Sequence, residues 1–329
     1  MTTQSTGRLA GRFLKAFLIG RGDPMARDAF LERTAWTDAH IVKGAIGAAT
    51  SGSASAFLNQ VGRDFIEFVR PQTIVGRLLY PRVIPWNTRT AYQTNGPAAA
   101  WTGEGTAIPA LGPTYSKEDP MPVRKVAGVA VTTLELAQAT DAPEVLTRDL
   151  AKACVELLDR TFIDPDETGD SVTPASVTNG ATSIPASTLP AGDLSDAVEA
   201  LVSGGGDLMT SQWIMHPMMY AHLILTRVVS ENGLLAGRPV IASSAVPSSS
   251  TNGSPIALVD SEGIELSGGT DAELMVSTHG DVNMTDTPGS ESYTVSMFQS
   301  ESAAMRAVVP INWRATRTGC VVYIDGASY

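Results

Sequence analysis

The sequence is poor in the residues that build redox, metal and membrane chemistry. Of its 329 residues only two are cysteine and four are histidine. Cys154 falls in a helical pattern and Cys320 in a strand pattern, with no metal-ligand spacing around either. A disulfide framework is therefore not expected, and the cytosol is the natural compartment of synthesis. His40, His216, His222 and His279 are scattered, and on a helix His216 and His222 would lie on different faces, so capping or surface roles are expected of them. No apolar run approaches the ~18 residues that would mark a membrane span. The stretch from Phe13 to Ile19, behind basic residues, has the outline of a signal peptide. Arg21, Asp23, Arg27 and Asp28 follow it without a small-residue cleavage site, which argues against secretion.

Catalytic signatures are missing as well. There is no Gly-x-Ser-x-Gly elbow and no phosphate loop ending in Gly-Lys-Ser/Thr. Gly103-Glu-Gly105 opens like a dinucleotide fingerprint, but Ile108 stands at the third glycine and Pro109 where a helix should begin. The run Asp164 to Asp170 resembles the first half of a calcium loop, yet Ala175 occupies the position of the bidentate glutamate, and a capping turn is the better reading. Trp101, Trp213 and Trp313 are not interleaved with basic residues as a base-stacking surface requires. No catalytic residue, cofactor or metal is assigned, and the chain reads as a protein of assembly rather than of catalysis.

What is present is a folded composition, 43% hydrophobic and 17% charged, with 30 Gly and 20 Pro to supply turns. The net charge of −11 is unevenly spread. Residues 1–89 hold 12 Lys/Arg against 6 Asp/Glu, whereas residues 90–329 hold 11 against 28. A basic leader on an acidic body points to opposite-charge contact between subunits or to an arm facing nucleic acid; chance segregation on a solvated surface is the bland alternative.

Residues 1–60 read as an arm rather than core, rich in Gly and Ala, with a helix over Met25 to Lys43 carrying Phe30, Trp36 and Ile41. Val61 to Val69 is apolar at 61, 65, 66, 68 and 69, and Pro71 ends it. Leu78 to Thr94 is extended, because Pro81 and Pro85 exclude a helix. A Gly/Pro-rich tip over 95–109 follows, and Val123 to Thr133 is read as the strand returning from it, making a hairpin that reaches roughly 35 Å. The clearest helix spans 143–163, with a capping box at Asp141 and Glu144 and a stripe of Leu146, Leu150, Cys154, Leu158 and Phe162, joined by Val155 and Leu157. Beyond a Ser/Thr/Pro-rich loop, short α and β pieces alternate. They include a helix over Asp193 to Ser203, a strand at Trp213-Ile-Met215 and a helix opened by Pro217 with His216 as cap. Strands are expected at 239–242, 256–259, 273–278, 293–299, 304–309 and 320–324.

Four segments in order carry a resemblance to a family. They are Ala100-Trp-Thr-Gly-Glu-Gly105 with Ile108-Pro109; Arg124 to Leu136 with the long helix after it; Trp213 to Pro217 with Leu234 to Ala242; and Phe298 to Arg306 through Ile311-Asn-Trp-Arg314 to Ile324. Together they resemble the major capsid proteins of tailed bacteriophages with the Hong Kong 97-type fold, which is also used by encapsulins. The resemblance implies an α+β chain with an N-terminal arm over 1–60, a lead into the peripheral domain over 61–90 and an extended loop over 91–118. It further implies a peripheral domain over 119–186, an axial domain over 187–280, return strands over 281–310 and a C-terminal axial strand over 311–329.

The implied function is structural: self-assembly into pentamers and hexamers of an icosahedral head shell around phage double-stranded DNA, with an encapsulin-type compartment as the alternative. Partners would be further copies of the chain, a portal protein, a scaffold or decoration protein, and DNA held non-specifically; a membrane is not among them. Trp101, Glu104 and Ile108 at the loop tip are expected to contact a neighbouring subunit. Arg8, Arg12, Lys15 and Arg21 are expected to contact a neighbour or the lumen. Some relatives weld subunits through a loop-tip lysine, but no Lys stands between Tyr92 and Ser116, so such cross-linking is not expected. With about 60 residues ahead of the fold, removal of a long scaffolding segment is not expected either.

Overall fold

The computed structural model describes residues 8–20, 23–34, 36–51, 56–95, 99–104, 112, 114–138, 142–226, 228, 233–248, 253–284, 293–317 and 319–329. Four helices open the chain: α1 (Arg8–Gly20), α2 (Pro24–Arg33), α3 (Ala39–Ser51) and α4 (Ala56–Val69). Leu9, Ala10, Phe13, Leu14, Ala16 and Leu18 turn inward from α1 and join Val61, Phe65 and Ile66 of α4 in one core cluster. The Asp64 carboxylate accepts the backbone N–H of Leu9 at 3.0 Å, placing a negative charge at the positive end of α1. The sequence reading set residues 1–60 apart from the core. The structure differs because α1 has a continuous apolar face, which buries itself wherever a partner surface is in reach.

The single helix expected over 25–43 is likewise two. Asp23 caps α2 by accepting from Met25 N, and the helix ends at Thr34, whose extended backbone donates to Phe30 O. The break lets Phe30 and Trp36 meet edge to face, with centroids 5.5 Å apart. Six residues apart on one straight helix, they would point away from each other.

After α5 (Ile74–Arg77) and the short β1 (Arg82–Val83), strands β2 (Thr90–Asn95) and β3 (Thr114–Glu118) pair antiparallel as a hairpin. The expected return strand is therefore corrected. Asp119-Pro-Met-Pro122 breaks the chain, and β4 (Lys125–Thr133) pairs instead with a distant strand near the C-terminus. The helices α6 (Leu134–Gln138) and α7 (Ala142–Ile163) follow. Asp141, the expected cap, lies outside the described residues. The α7 stripe buries Leu150, Cys154, Leu158 and Phe162, while Leu157, at the edge of the stripe, is 50% exposed.

The next elements are β5 (Thr182–Pro185), α8 (Pro190–Ser203), β6 (Ser211–Met215), α9 (Pro217–Leu225), β7 (Leu234–Leu235), β8 (Arg238–Ala242) and β9 (Ser254–Asp260). His216 caps α9 through its ring nitrogen, which accepts from Met218 N. The chain closes with β10 (Ile264–Gly268), β11 (Glu273–Ser277), β12 (Asp281–Met284), β13 (Tyr293–Ser296), the long β14 (Ser302–Ala315) and β15 (Val321–Ala327).

Two main sheets result. The first has the order β1-β10-β14-β11, with β4 also on β14; the second runs β5-β15-β9-β6-β8-β7. Both β10 and β11, inside the span read as axial, thus belong to the first sheet, and β14 crosses 310/311 without a break; β15 alone among these last strands enters the second sheet. At the corner between β10 and β11, Gly268 and Gly269 both have positive φ, and a Cβ on Gly268 would lie 2.3 Å from Pro310 O. A strand edge turning there requires glycine.

The second sheet is apolar on both faces, and alternation along its strands sorts the side chains. Trp213, Met215, Ile256, Leu258, Val322 and Ile324 face α8 and α9. Ile214, Ala257, Val259 and Val321 face Leu158, Phe162 and Trp313, the cluster that joins α7 to both sheets. At that junction Asp159 is wholly buried. It accepts the backbone N–H of Ile74 at 2.7 Å and the Ser243 hydroxyl at 2.6 Å, linking α7 to α5 and to the end of β8. Cys154 and Cys320 are free and buried, and burial pushes both thiols up from the usual range.

Burial raises the Asp159 carboxyl to about 6, against the opposing pull of Ser243, Ile74 N–H and the Arg77 charge. The folded chain therefore holds this proton more tightly than the unfolded chain. The stability it contributes is complete below the ordinary value of 3.8 and is lost as pH rises through about 6, a loss of about 3 kcal/mol. Asp159→Asn keeps an acceptor for Ile74 and offers an amide donor to Ser243. It is expected to flatten this slope, measured by urea denaturation at about pH 4 and pH 7; an unchanged slope would place its origin elsewhere.

Candidate assembly surfaces

The hairpin of β2 and β3 projects from the first sheet, and its root is held by one arginine. Glu265 and Arg314 face each other in register across β10 and β14. The Glu265 carboxylate, 1% exposed, accepts from Arg314 Nη2 at 2.7 Å and from Nε at 2.9 Å. The same guanidinium donates to Thr90 Oγ1 at 2.6 Å and to the Asp119 carbonyl at 2.6 Å, and lies 3.6 Å from the Glu118 carboxylate. Thr90 opens β2 and Glu118 closes β3, so a single side chain grips both ends of the hairpin. Arg82 completes the set, 3.2 Å from the second Glu265 oxygen. A planar five-donor group suits this branching task, whereas a lysine point charge would not.

At the far end, Trp101 is fully exposed (106%) and Glu104 is exposed beside it. Ile108 lies outside the described residues. Of the N-terminal cations, Arg8 is exposed at the start of α1 and Lys15 is half-buried. Arg12 is engaged within its own chain, 2.6 Å from Asp38 and 5.1 Å above the Trp36 ring. Arg21 lies outside the described residues. The Asp164–Asp170 run is a local turn: Asp164 accepts from Asp166 N, and Asp170 accepts from Val172 N and Thr173 N, which lowers the Asp170 carboxyl.

Two features escaped sequence reasoning. The Glu265–Arg314 pair spans 49 residues, and nothing in either local pattern announces it. A second apolar surface, Met218 (75% exposed) and Leu225 (82% exposed) on the outer side of α9, lies within the run 217–225, which is apolar apart from His222.

Arg314→Met would leave the buried Glu265 with Arg82 as its remaining cation and would free both roots of the hairpin. A loss of about 3 kcal/mol is expected, the lower end for a broken buried pair. Limited proteolysis should cut within 91–118 faster than in the parent chain; equal rates would show that the backbone pairing of β2 and β3 holds the hairpin unaided.

Comparison with known proteins agrees with this architecture. The profile of the family described as "Phage capsid family" matches residues 84–285. The capsid polyprotein of Pseudomonas phage PAJU2 is 32% identical over 325 residues, covering 88% of this chain and 48% of that protein. The chain thus spans about half the length of this relative. Among solved structures, that of Mycobacterium phage Cain superposes with a TM-score of 0.55 at 16% identity, over 92% of this chain and 99% of the other. That of Gordonia phage Cozz gives 0.56 at 15% identity, over 78% and 87%. The capsid of a native GTA particle gives 0.52 at 12% identity, over 77% and 89%. At these identities the structural likeness bears on the fold alone, while the profile match covers more than half the chain. The chain belongs to the phage capsid family, a family of structural proteins, and carries the Hong Kong 97-type capsid fold.

Proposed function

We propose that copies of this chain tile into pentamers and hexamers of a closed icosahedral head shell that encloses double-stranded DNA. The observation that carries the reading is the projecting hairpin, stiffly rooted by Arg314 and ending in a fully exposed tryptophan. An isolated globule gains nothing by exposing an indole on a protruding edge; a subunit covered by its neighbour does. In this reading the second sheet with α8 and α9 is the axial domain, and the exposed Met218 and Leu225 pack against neighbours near the ring centre. Trp101, Glu104 and Ile108 lie over an adjacent subunit. Arg8, Arg12, Lys15 and Arg21 serve contacts with a neighbour or the lumen.

The excess of acidic residues over 90–329 supports a wall that repels phosphate and so leaves packaged DNA loosely held. A portal protein and a scaffold or decoration protein are the further partners, and synthesis in the host cytoplasm precedes incorporation in the virion. An encapsulin-type compartment is disfavoured, because the family match and the curated relative are both phage capsid proteins.

The test is negative-stain electron microscopy of the full chain after size-exclusion chromatography. Closed shells tens of nanometres wide are expected. A chain that stays monomeric at every concentration, and also with its cognate scaffold, would overturn the reading. Shells that bind DNA with a steep salt dependence through the acidic body would overturn the repelling wall.

A further inference from the structure

The outer edge of a sheet presents unpaired backbone N–H and C=O groups, and folded chains keep such edges short, charged or broken by proline or a bulge. Four outermost strands of the two main sheets follow that rule. Strands β1 and β7 have two residues each, β5 has four and ends in Pro185, and β11 has five and opens on Glu273. The strand β4 does not. It pairs through nine consecutive residues with β14, and with no strand on its other side among the described residues. Its register against β14 has no shift, it holds no proline, and its one charge, Lys125, stands at the first position. At ~3.3 Å per residue this free edge is about 30 Å long.

Alternation sorts its side chains. Val126, Gly128, Ala130 and Thr132 lie on the α7 side, where Leu150 is 2.7 Å from the place a Cβ on Gly128 would take. Lys125, Ala127, Val129, Val131 and Thr133 lie on the other face, and there Ala127 and Val129 (53% exposed) are open to water. Arg306, opposite Val129 on β14, is already paired with Glu273 at 3.2 Å, so the charge nearest the middle of the strand is matched within the chain. An edge of this kind takes up an added strand through main-chain hydrogen bonds, and the side chains decide which strand. The sequence of β4 matches itself. Run antiparallel about a two-fold axis, it sets Val129 against Val129, Ala127 against Val131 and Lys125 against Thr133 on the open face. On the α7 side Gly128 meets Ala130 and Val126 meets Thr132. All nine residues then pair, no like charges meet, and β-branched residues stand opposite apolar ones at the centre. Any other self-pairing register leaves residues unpaired at the ends.

We propose that β4 is an interface between two copies of this chain, the two strands adding edge to edge about a two-fold axis at Val129 so that the first sheets of both copies become one. The proposal rests on the assembly reading above, which supplies the second copy, and adds a contact that joins copies by backbone pairing. Such an isologous contact uses the same patch on both copies and closes after two. A two-fold axis perpendicular to a sheet keeps its faces, so the α7 helices of both copies lie on one side of the joined sheet and the Val129 side chains on the other.

Val129→Cys tests the register. Residues facing each other across an antiparallel pair have Cα atoms about 4.5–5.5 Å apart, within the span of a disulfide. Cys154 and Cys320 are buried, so the introduced thiol is the exposed one. Assembled particles of this variant, oxidised and run without reductant, are expected to give a two-chain band whose linked peptide joins residue 129 of one copy to residue 129 of another. Ala127→Cys and Val131→Cys chains should each link poorly alone and should link to one another when assembled together. Val129→Glu and Val129→Lys each place like charges on the axis and are expected to lower the assembled fraction severalfold. Mixing these two chains should restore it, a recovery that a folding defect would not allow, and circular dichroism checks that each variant is folded. Normal particles of Val129→Cys that give no such link, or a link to another segment, would overturn the edge pairing and leave the assembly reading intact. A parent chain that forms no particles under any condition would remove both.

Discussion

The projecting part of this molecule depends on one buried carboxylate and one branched cation. Glu265 is enclosed on β10, and Arg314 reaches it from the facing position on β14 while also holding Thr90 and Asp119. A buried ion pair contributes little net stability when compared with apolar side chains of the same volume, because desolvation offsets the Coulomb gain. What it does supply is direction. Its remaining donors are fixed by the guanidinium plane, so the hairpin leaves the sheet at a set angle. An apolar patch at the root would have allowed the hairpin to roll.

Behind that root, α7 organises the rest. Its inner face runs from Leu150, which packs with α1 and α4, to Phe162, which packs between the two sheets. One helix therefore belongs to two cores, and Asp159 stands in the half that faces the sheet junction. The carboxyl is satisfied there by a backbone N–H and a hydroxyl rather than by a contacting cation. Both donors and the Arg77 charge favour the charged form, but with no cation in contact they do not offset burial, which raises the carboxyl.

Much of this was legible in the sequence wherever periodicity was strong and local. The every-fourth-residue stripe of α7, the helix opened by Pro217 behind His216 and the apolar strand cores at 213–215, 239–242 and 256–259 all correspond to elements. The fold class followed from four ordered segments. What failed was pairing at a distance. The strand Lys125–Thr133 alternates well enough to be placed next to β2, but its nine partners lie on β14, some 180 residues onward. Short strands such as β5 and β10 were passed over because few residues carry their pattern. The N-terminal helices were read as an arm since glycine and alanine lower the apparent apolarity of faces that are nonetheless buried. Of the proposed contact residues, Trp101 and Glu104 were chosen by their place in a Gly-rich tip, and both are exposed. Arg314 has no local signature, since its site is made by strands that meet only in the folded chain.

The length of β14 has a mechanical consequence. Its residues 302–310 pair with β4 and its residues 311–315 pair with β10, so one strand runs as a continuous rod from the N-terminal helical layer to the hairpin root. The part of a pull on the hairpin that passes through Arg314 and lies along the β14 axis enters this rod. Hydrogen bonds perpendicular to that axis are then loaded together in shear and not one after another as in unzipping. Rupture requires many bonds to fail at once, so the hairpin is tethered to the bulk of the chain far more firmly than its own five-residue strand could manage.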